Sequence, residues 1–338
     1  DYTKETMRGG RSELTKPDEK ENKSKGGLNK DYAFGYSYGI TEVLTMVVPR
    51  MYGGSSAEMQ PGSKTAAVLM EKTGMAEEQA DQFAQQLPAY WGPQGGTSGA
   101  VYFGAIVCIL FIFGLVYYTG WHNKWIIAAT ILGILLAWGK HFSAFNYFLF
   151  DYLPFYNKFR APSMAMVIPQ LTVPLLAALG LNQIFETSFD KLVFWKKFKL
   201  SITISGIFIA VLALMYFMLD YKADTDNMLR DNLANSMMQQ MSQQGQPSAN
   251  IAQQAQDFGR SVINALKSDR QALYGSDLIR SIIFIVLGLG VLYLYAQNKL
   301  NKNLASIALI ALVFIDLMGV DLRYLNNDRY VERDQFNE

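Results

Sequence analysis

Charged residues are absent from long blocks of this chain, and each block contains an apolar run. The blocks without Asp, Glu, Lys or Arg are 82–123, 161–185, 200–219 and 281–298. A helix needs roughly 20 apolar residues to cross the hydrocarbon core of a bilayer. Backbone polar groups exposed to lipid must be satisfied within their own helix, so no sheet is plausible in these blocks. The pattern therefore predicts an all-α fold, a polytopic transmembrane helical bundle of about six spans.

The expected organisation alternates spans with loops on two sides of the membrane. The predicted spans are 99–119, 124–139, 162–185, 200–219, 278–297 and 304–320. Helices 1–3 are expected in 99–185, with an outward loop at 140–161. Residues 186–219 are expected to form a cytoplasmic loop and helix 4, and residues 278–320 are expected to form helices 5 and 6. Three further regions are expected outside: 1–98 with short helices, 220–277 with amphipathic helices, and 321–338 as the start of a C-terminal region.

Short lysine-rich loops set the expected orientation. Lysines concentrate in segment 190–200, in the hairpin 298–303 and in the turn 120–124, which share one side if six spans hold. Short loops with an excess of Lys and Arg favour the cytoplasmic side. The large loops are therefore expected outside.

Local patterns predict structure within the outward regions. Ser63 is a suitable cap for a helix over 64–72, and a second helix is expected over 75–86. Apolar residues at four-residue spacing predict two amphipathic helices in 220–277, split near 245–247. Alternating aromatic residues from Tyr32 to Tyr38 instead indicate an extended segment at the membrane rim.

Composition narrows the possible partners. The formal net charge is +1 and no basic stripe is present, so no nucleic-acid partner is expected. The single cysteine, Cys108, cannot form an internal disulfide. No recognisable ligand spacing predicts a metal site, although a divalent metal is left open. The polar start at Asp1 and the end at Glu338 suggest an internal piece of a larger protein.

The segment LPFYNKFRAPS, residues 153–163, carries the most chemical information. Pro162 suits the first position of a helix, whose positive dipole end and free N–H groups would face outward. Lys158 and Arg160 precede that helix, which makes a phosphate-binding site. Pro169 and Pro174 would interrupt the span and open a groove. The alternative is that the two cations only reach lipid headgroups.

Other outward polar residues have a structural and a functional interpretation. Glu42 and Arg50 would form an ion pair or bind a sugar hydroxyl. His141 beside Lys140 is either a polar rim residue or a base. Asp316, near the end of the last span, is either a helix-end residue or a functional acid.

Several stretches together resemble the YfhO family of bacterial membrane proteins. They are Ser37–Gly39 with Glu42, Pro49–Gly54, LPAYWGPQGGTSG at 87–99, LPFYNKFRAPSM at 153–164 and Asp321–Asn326. The matches keep the family order from about residue 31 onward. That family in turn resembles the GT-C glycosyltransferases, which are expected to move a sugar from a polyprenyl-phosphate carrier to an acceptor on the outer face.

The resemblance implies roles for particular residues. Arg160, and with it Lys158, would hold the carrier phosphate. The outward cavity would be lined by Glu42, Arg50, Tyr90, Trp91, Lys140 and His141. The acidic catalytic residue of such enzymes usually lies in the first outward loop, which would precede this chain, so the catalytic residue is unknown. The extracytoplasmic domain expected after the last span would also be missing.

Three functions remain open from the sequence. The first is the glycosyltransferase of the bacterial cytoplasmic membrane, with membrane lipid, a lipid-linked sugar and an envelope glycan acceptor as partners. The second is a lipid or polysaccharide transporter that uses the proline-broken third span. The third is a non-catalytic envelope assembly protein that uses the Gln-rich loop 220–277.

Overall fold

The structure is a computed structural model, which describes residues 27–56, 61–186, 191–243 and 248–325. Within these ranges the secondary structure is helical and contains no strand, as the apolar pattern predicts. Of the predicted outward regions 1–98 and 321–338, residues 1–26, 57–60 and 326–338 lie outside the described residues. The α-helices are α1 (Lys30–Ala33), α2 (Lys64–Thr73), α3 (Glu77–Gln85), α4 (Ala105–Tyr117), α5 (His122–Ala137), α6 (Ser143–Tyr152), α7 (Val167–Glu186), α8 (Lys191–Met218), α9 (Asp226–Gln243), α10 (Ser248–Ala296) and α11 (Lys302–Tyr324).

Several described helices are long and apolar enough to cross a bilayer. They are Pro162–Glu186, Leu192–Met218, Ile251–Ala296 and Lys302–Tyr324. A fifth span results if His122–Ala137 and Gly139–Tyr152, which are bent by 110°, count as one. The protein is therefore an all-helical, multi-pass membrane protein.

The first predicted span, 99–119, is shorter in the structure. Helix α4 has only 13 residues, because the chain remains non-helical up to Gly104, whose φ of 99° a helix does not allow. The start of α4 is held instead by Asp316, whose carboxylate accepts a hydrogen bond from the Ala105 N–H at 2.9 Å. Six full-length spans are thus not found among the described residues.

Two predicted boundaries between loop and span are also wrong. Helix α8 begins at Lys191, so residues 191–199 of the expected cytoplasmic loop are helical. Helix α10 runs for 49 residues without a break, so the second amphipathic helix and the fifth span are one element. The predicted split near 245–247 falls outside the described residues. In the N-terminal region, α2 and α3 confirm the two short helices predicted at 64–72 and 75–86.

The chain divides into two compact units. The described part of the first unit is 27–44, 93–95, 107–186 and 191–205, and that of the second is 45–56, 61–92, 96–106, 206–243 and 248–325. Each unit has its own means of holding its helices together.

Close backbone approach joins the helices of the first unit. A Cβ at Gly180 would lie 2.4 Å from the Cα of Gly114, so α4 and α7 touch at their glycines. A Cβ at Gly133 would lie 2.5 Å from the Cδ of Pro169. At Pro169 no groove opens, because the proline ring fills the space that Gly133 leaves.

Buried ion pairs join the elements of the second unit. Arg270 is fully buried on α10 and forms a bidentate pair with Asp226, at 2.7 and 3.0 Å. The same guanidinium donates to the carbonyl oxygens of Tyr221 and Pro88. Asp269, one residue earlier, accepts hydrogen bonds from the N–H groups of α2's first turn at 3.0 and 2.9 Å. These contacts hold the segments around Pro88 and Tyr221, and the start of α2, against the long helix α10.

Candidate anion site at the start of a membrane span

Arg160 lies against two tyrosine rings in the first unit. Its guanidinium carbon is 4.6 Å from the ring centre of Tyr32 and 5.4 Å from that of Tyr36. One guanidinium nitrogen also donates a 2.6 Å hydrogen bond to the Tyr32 hydroxyl. Both rings are neutral, so they orient the guanidinium without cancelling its charge. Among the described carboxylates, none pairs with Arg160.

The backbone on either side of Lys158 and Arg160 takes unusual conformations. Phe155 has a φ of 68° and Ala161 a φ of 59°, both in the left-handed region that non-glycine residues seldom occupy. The second of these turns the chain directly after Arg160, before the short 3₁₀ helix Pro162–Met166. The surrounding hydrogen bonds hold this strained turn in place, because Ala161 N–H donates to Ala33 O at 3.0 Å.

The N–H groups at the start of this helix are occupied. Pro162 has no N–H, Ser163 N–H donates to Tyr36 O at 3.1 Å, and Met164 N–H donates to Ala161 O at 3.0 Å. The prediction that free N–H groups face an anion is therefore wrong. An anion at this position would be held by side chains.

A shallow surface pocket of about 480 Å³ lies beside this turn. It is lined by Tyr36, Lys158, Phe159, Arg160, Ala161, Ser163 and Met164. The structure thus brings both predicted phosphate-binding cations to one pocket. Exposed apolar side chains surround them, with Phe155, Phe159 and Met164 each at least 70 % exposed. The site combines positive charge with apolar surface.

The other candidates of the first unit are held by local contacts. One ring nitrogen of His141 lies 2.8 Å from the carbonyl oxygen of Tyr38. The backbone N–H of Lys140 donates to the Ser37 hydroxyl at 3.0 Å, while its side chain is exposed. These contacts fix the sharp bend between α5 and α6.

Glu42 is 2 % exposed, and its carboxylate is engaged. It accepts hydrogen bonds from the Gly39 N–H at 2.8 Å and from the Gln94 amide at 2.9 Å. The first contact closes the turn at 39–42, and the second joins this turn to Gln94. This carboxylate acts as a structural acceptor.

The remaining candidates belong to the second unit. Arg50 pairs with Asp277 at 2.9 Å and donates to the Ser276 hydroxyl at 3.0 Å. Trp91 stacks on Tyr52 with ring centres 4.3 Å apart. Tyr90 and Trp91 are both buried. That all these residues line one outward cavity with Arg160 stays a prediction.

Asp316, suspected as an intramembrane acid, is buried in a hydrogen-bonded cluster. It forms an ion pair with Arg280 at 2.9 Å and accepts a 2.7 Å hydrogen bond from the Tyr102 hydroxyl. Burial raises the pKa of Tyr102, so its phenol remains a neutral donor. The cluster joins α10, α11 and the start of α4, which is a structural role.

Sequence reasoning missed the two tyrosines that hold Arg160. The alternation from Tyr32 to Tyr38 indicates an extended segment, but Lys30–Ala33 forms a helical turn capped by the Asn29 side chain. Tyr36 lies beyond that turn, in a non-helical segment, so no local periodicity pairs the two rings with Arg160.

No group of three or more His, Cys, Asp or Glu side chains that could hold a metal ion occurs in the described ranges. No family model, curated protein or solved structure matches the chain. The helical fold and its apolar spans define the class as a multi-pass membrane protein.

Proposed function

We propose that this chain is part of a GT-C-type glycosyltransferase of the bacterial cytoplasmic membrane. It would move a sugar from a polyprenyl-phosphate carrier to an envelope glycan acceptor on the outer face. The observation that carries the proposal is the setting of Arg160, a cation held by neutral aromatic rings at the start of a membrane span. Lys158 lines the same pocket.

The charge of Arg160 favours a phosphate ligand. Arginine donates parallel hydrogen bonds to phosphate, and a charged hydrogen bond contributes about 1.5–3 kcal/mol. The Tyr32 hydroxyl accepts a hydrogen bond from one guanidinium nitrogen, and the other guanidinium nitrogens are available to donate to a ligand. The aromatic contacts restrict the guanidinium before binding, which lowers the entropy cost of capture.

The apolar surroundings favour a phosphate attached to a lipid. Phe159 and Met164 line the pocket with the two cations and are exposed. Phe155, three residues before Lys158, is exposed as well. A soluble phosphate makes no use of this surface, whereas an isoprenoid chain packs against it by dispersion contacts while its phosphate lies at the cations. The site therefore suits a ligand with a phosphate head and a hydrocarbon tail.

The reaction requires the sugar–phosphate bond to break as the acceptor oxygen bonds to the sugar. The carrier phosphate leaves with the electron pair of that bond, and Arg160 would stabilise its negative charge. A base must take the proton of the acceptor hydroxyl. We assign no residue to this step, because Glu42 is engaged by Gly39 and Gln94.

The transporter alternative has less support. It needs a polar path through the bundle, and Thr172 is a polar residue of α7 that could line one. Its hydroxyl instead lies 2.7 Å from that of Thr130, and both residues are buried between α5 and α7. Gln170 and Asn182, the other candidates in this helix, are exposed.

The decisive experiment combines carrier binding with glycan analysis. Purified protein in nanodiscs is titrated with polyprenyl phosphate, comparing wild type, Arg160→Ala and Arg160→Lys. We expect Arg160→Ala to weaken binding about 10- to 100-fold, the equivalent of one charged hydrogen-bonded contact. Arg160→Lys would weaken binding less, because it keeps the charge and loses the forked geometry.

The matched control is Arg260→Ala, which removes an exposed arginine of α10 that pairs with Asp257. It should bind the carrier as the wild type does. In cells, deletion of the full gene should remove one defined envelope sugar, restored by the wild-type gene and not by Arg160→Ala. Unchanged carrier binding by Arg160→Ala, or an unchanged glycan profile after deletion, would refute the proposal.

A further inference from the structure

The first unit has a second cationic and aromatic surface, at the opposite end of its membrane span from Arg160. Helix α7 ends near the turn between α4 and α5, because Gln183 and Thr119 exchange hydrogen bonds of 3.1 Å. The span Pro162–Glu186 has 25 residues, so about 35 Å separates this end from Arg160. That distance matches the thickness of a bilayer core of about 30 Å.

Helix α8 contributes two lysines to this end. Phe194 and Phe198 are buried, and Tyr117 lies against both the Phe194 ring and, through its hydroxyl, the Phe194 carbonyl oxygen at 2.9 Å. These contacts fix the inward side of the helix. Lys196 and Lys199, one turn apart, are exposed.

Exposed apolar residues flank these lysines on the same helix. Leu192 is 85 % exposed and Leu200 is 51 % exposed. Lysines placed within an apolar helix surface extend their amines to the level of the lipid headgroups. The two amines are therefore placed where a bilayer presents its phosphates.

The turn between α4 and α5 carries a similar surface. Trp121 caps the start of α5, Lys124 and Trp125 lie in its first turns, and all three are exposed, Trp121 to 77 %. Exposed indoles at a helix end favour the membrane–water interface. We define the basic–aromatic rim as Trp121, Lys124, Trp125, Lys196 and Lys199.

The charge at this end is one-sided. Residues 117–126 and 183–205 contain five lysines and two carboxylates, those of Glu186 and Asp190. Each lysine near a membrane surface adds about 1 kcal/mol of attraction to anionic lipid, or about fivefold in affinity. A rim with this excess distinguishes anionic from zwitterionic headgroups.

We propose that the basic–aromatic rim is a binding site for anionic phospholipid, with Lys196 and Lys199 on one phosphate-bearing headgroup. This site lies at the other end of the span from the proposed carrier site, and neither proposal depends on the other.

Tryptophan fluorescence provides the test, because Trp121 and Trp125 report on lipid at the rim itself. The protein is placed in phosphatidylcholine nanodiscs that contain a minor fraction of either brominated phosphatidylglycerol or brominated phosphatidylcholine. We expect stronger quenching by the brominated phosphatidylglycerol. The Lys196→Gln/Lys199→Gln variant should lose most of this preference, at about fivefold per lysine.

Two controls separate the rim from general effects. Lys222→Gln removes an exposed lysine beyond the other end of α8 and should keep the preference. A Trp121→Phe/Trp125→Phe/Trp195→Phe variant, which also removes the indole next to Lys196, should lose the preferential quenching, and this assigns the signal to this end of the unit. Equal quenching by both brominated lipids in the wild type, or an unchanged preference in the double lysine variant with an unchanged unfolding temperature, would overturn the proposal.

Discussion

Two arginines, Arg160 in the first unit and Arg270 in the second, show how one residue type serves different purposes. Arg270 is fully buried, and a carboxylate and two backbone carbonyls surround its guanidinium. Arg160 is exposed, and its partners among the described residues are two neutral tyrosines. The first arrangement cancels the charge and the second preserves it.

The two arginines differ in burial, and burial decides whether the charge has to be neutralised. An uncompensated buried charge is costly, so a buried arginine requires a carboxylate. In the second unit Arg50 and Arg323 share Asp277, and Arg280 pairs with Asp316. An exposed arginine has no such requirement, so its charge remains available to a ligand.

The same contrast holds for the packing of helices. In the first unit, α4, α5 and α7 meet through Gly114, Gly133 and Gly180, where backbones approach closely. In the second unit, loops and helices are fastened by ion pairs on α10. Small residues permit dispersion contacts between helices in lipid, whereas ion pairs hold irregular segments that lack such contacts.

Arg270→Ala should give the largest loss of stability. The substitution leaves Asp226 buried without its cation and releases the carbonyls of Tyr221 and Pro88, which predicts a loss of about 3–5 kcal/mol in the free energy of unfolding. Thermal unfolding in detergent micelles measures the effect.

An exposed arginine of the same helix provides the comparison for that result. Arg260→Ala breaks an exposed pair with Asp257 and should change stability by less than about 0.5 kcal/mol. Equal unfolding temperatures for the two variants would contradict the structural role of Arg270.

Gly180→Ala should have an intermediate effect. The new Cβ would lie 2.4 Å from the Cα of Gly114, so α4 and α7 must separate, at a cost of about 1–3 kcal/mol. Gly206→Ala is the matched control, because a Cβ there meets nothing within 4 Å. Alanine favours the helix by up to about 1 kcal/mol, so this control should be unchanged or more stable. A Gly180→Ala protein as stable as the control would show that the glycine contact does not limit helix packing.

Sequence reasoning recovers the features of this fold that depend on local periodicity. Charge-free blocks locate the membrane helices, and the capping residue Ser63 locates α2, because both signals arise within a few turns. The candidate anion site is also predictable in part, since Lys158 and Arg160 lie within four residues of a proline that begins a helix.

The features that sequence reasoning misses depend on distant partners. Asp226 and Arg270 are 44 residues apart, and nothing in either local pattern indicates their pairing. The sequence also does not show that α10 is one helix of 49 residues, because a polar stretch followed by an apolar run predicts a loop and a separate span. Arg160 and its partner Tyr32 are 128 residues apart, so the contact that orients the guanidinium cannot be predicted from the segment 153–163 alone.

Arg160→Ala should cost far less stability than Arg270→Ala and Gly180→Ala, and it therefore tests the comparison most directly. An exposed cation–π contact contributes about 0.5–1 kcal/mol, and no described carboxylate loses its partner. We expect thermal unfolding in micelles to shift far less than for Arg270→Ala. Tyr32→Phe keeps the ring and removes the hydroxyl, so it should be equally stable while the guanidinium loses one of its orienting contacts. If Arg160→Ala lowers the free energy of unfolding as much as Arg270→Ala does, Arg160 is a structural cation. A weakened carrier affinity in that variant would then reflect unfolding rather than a missing phosphate contact.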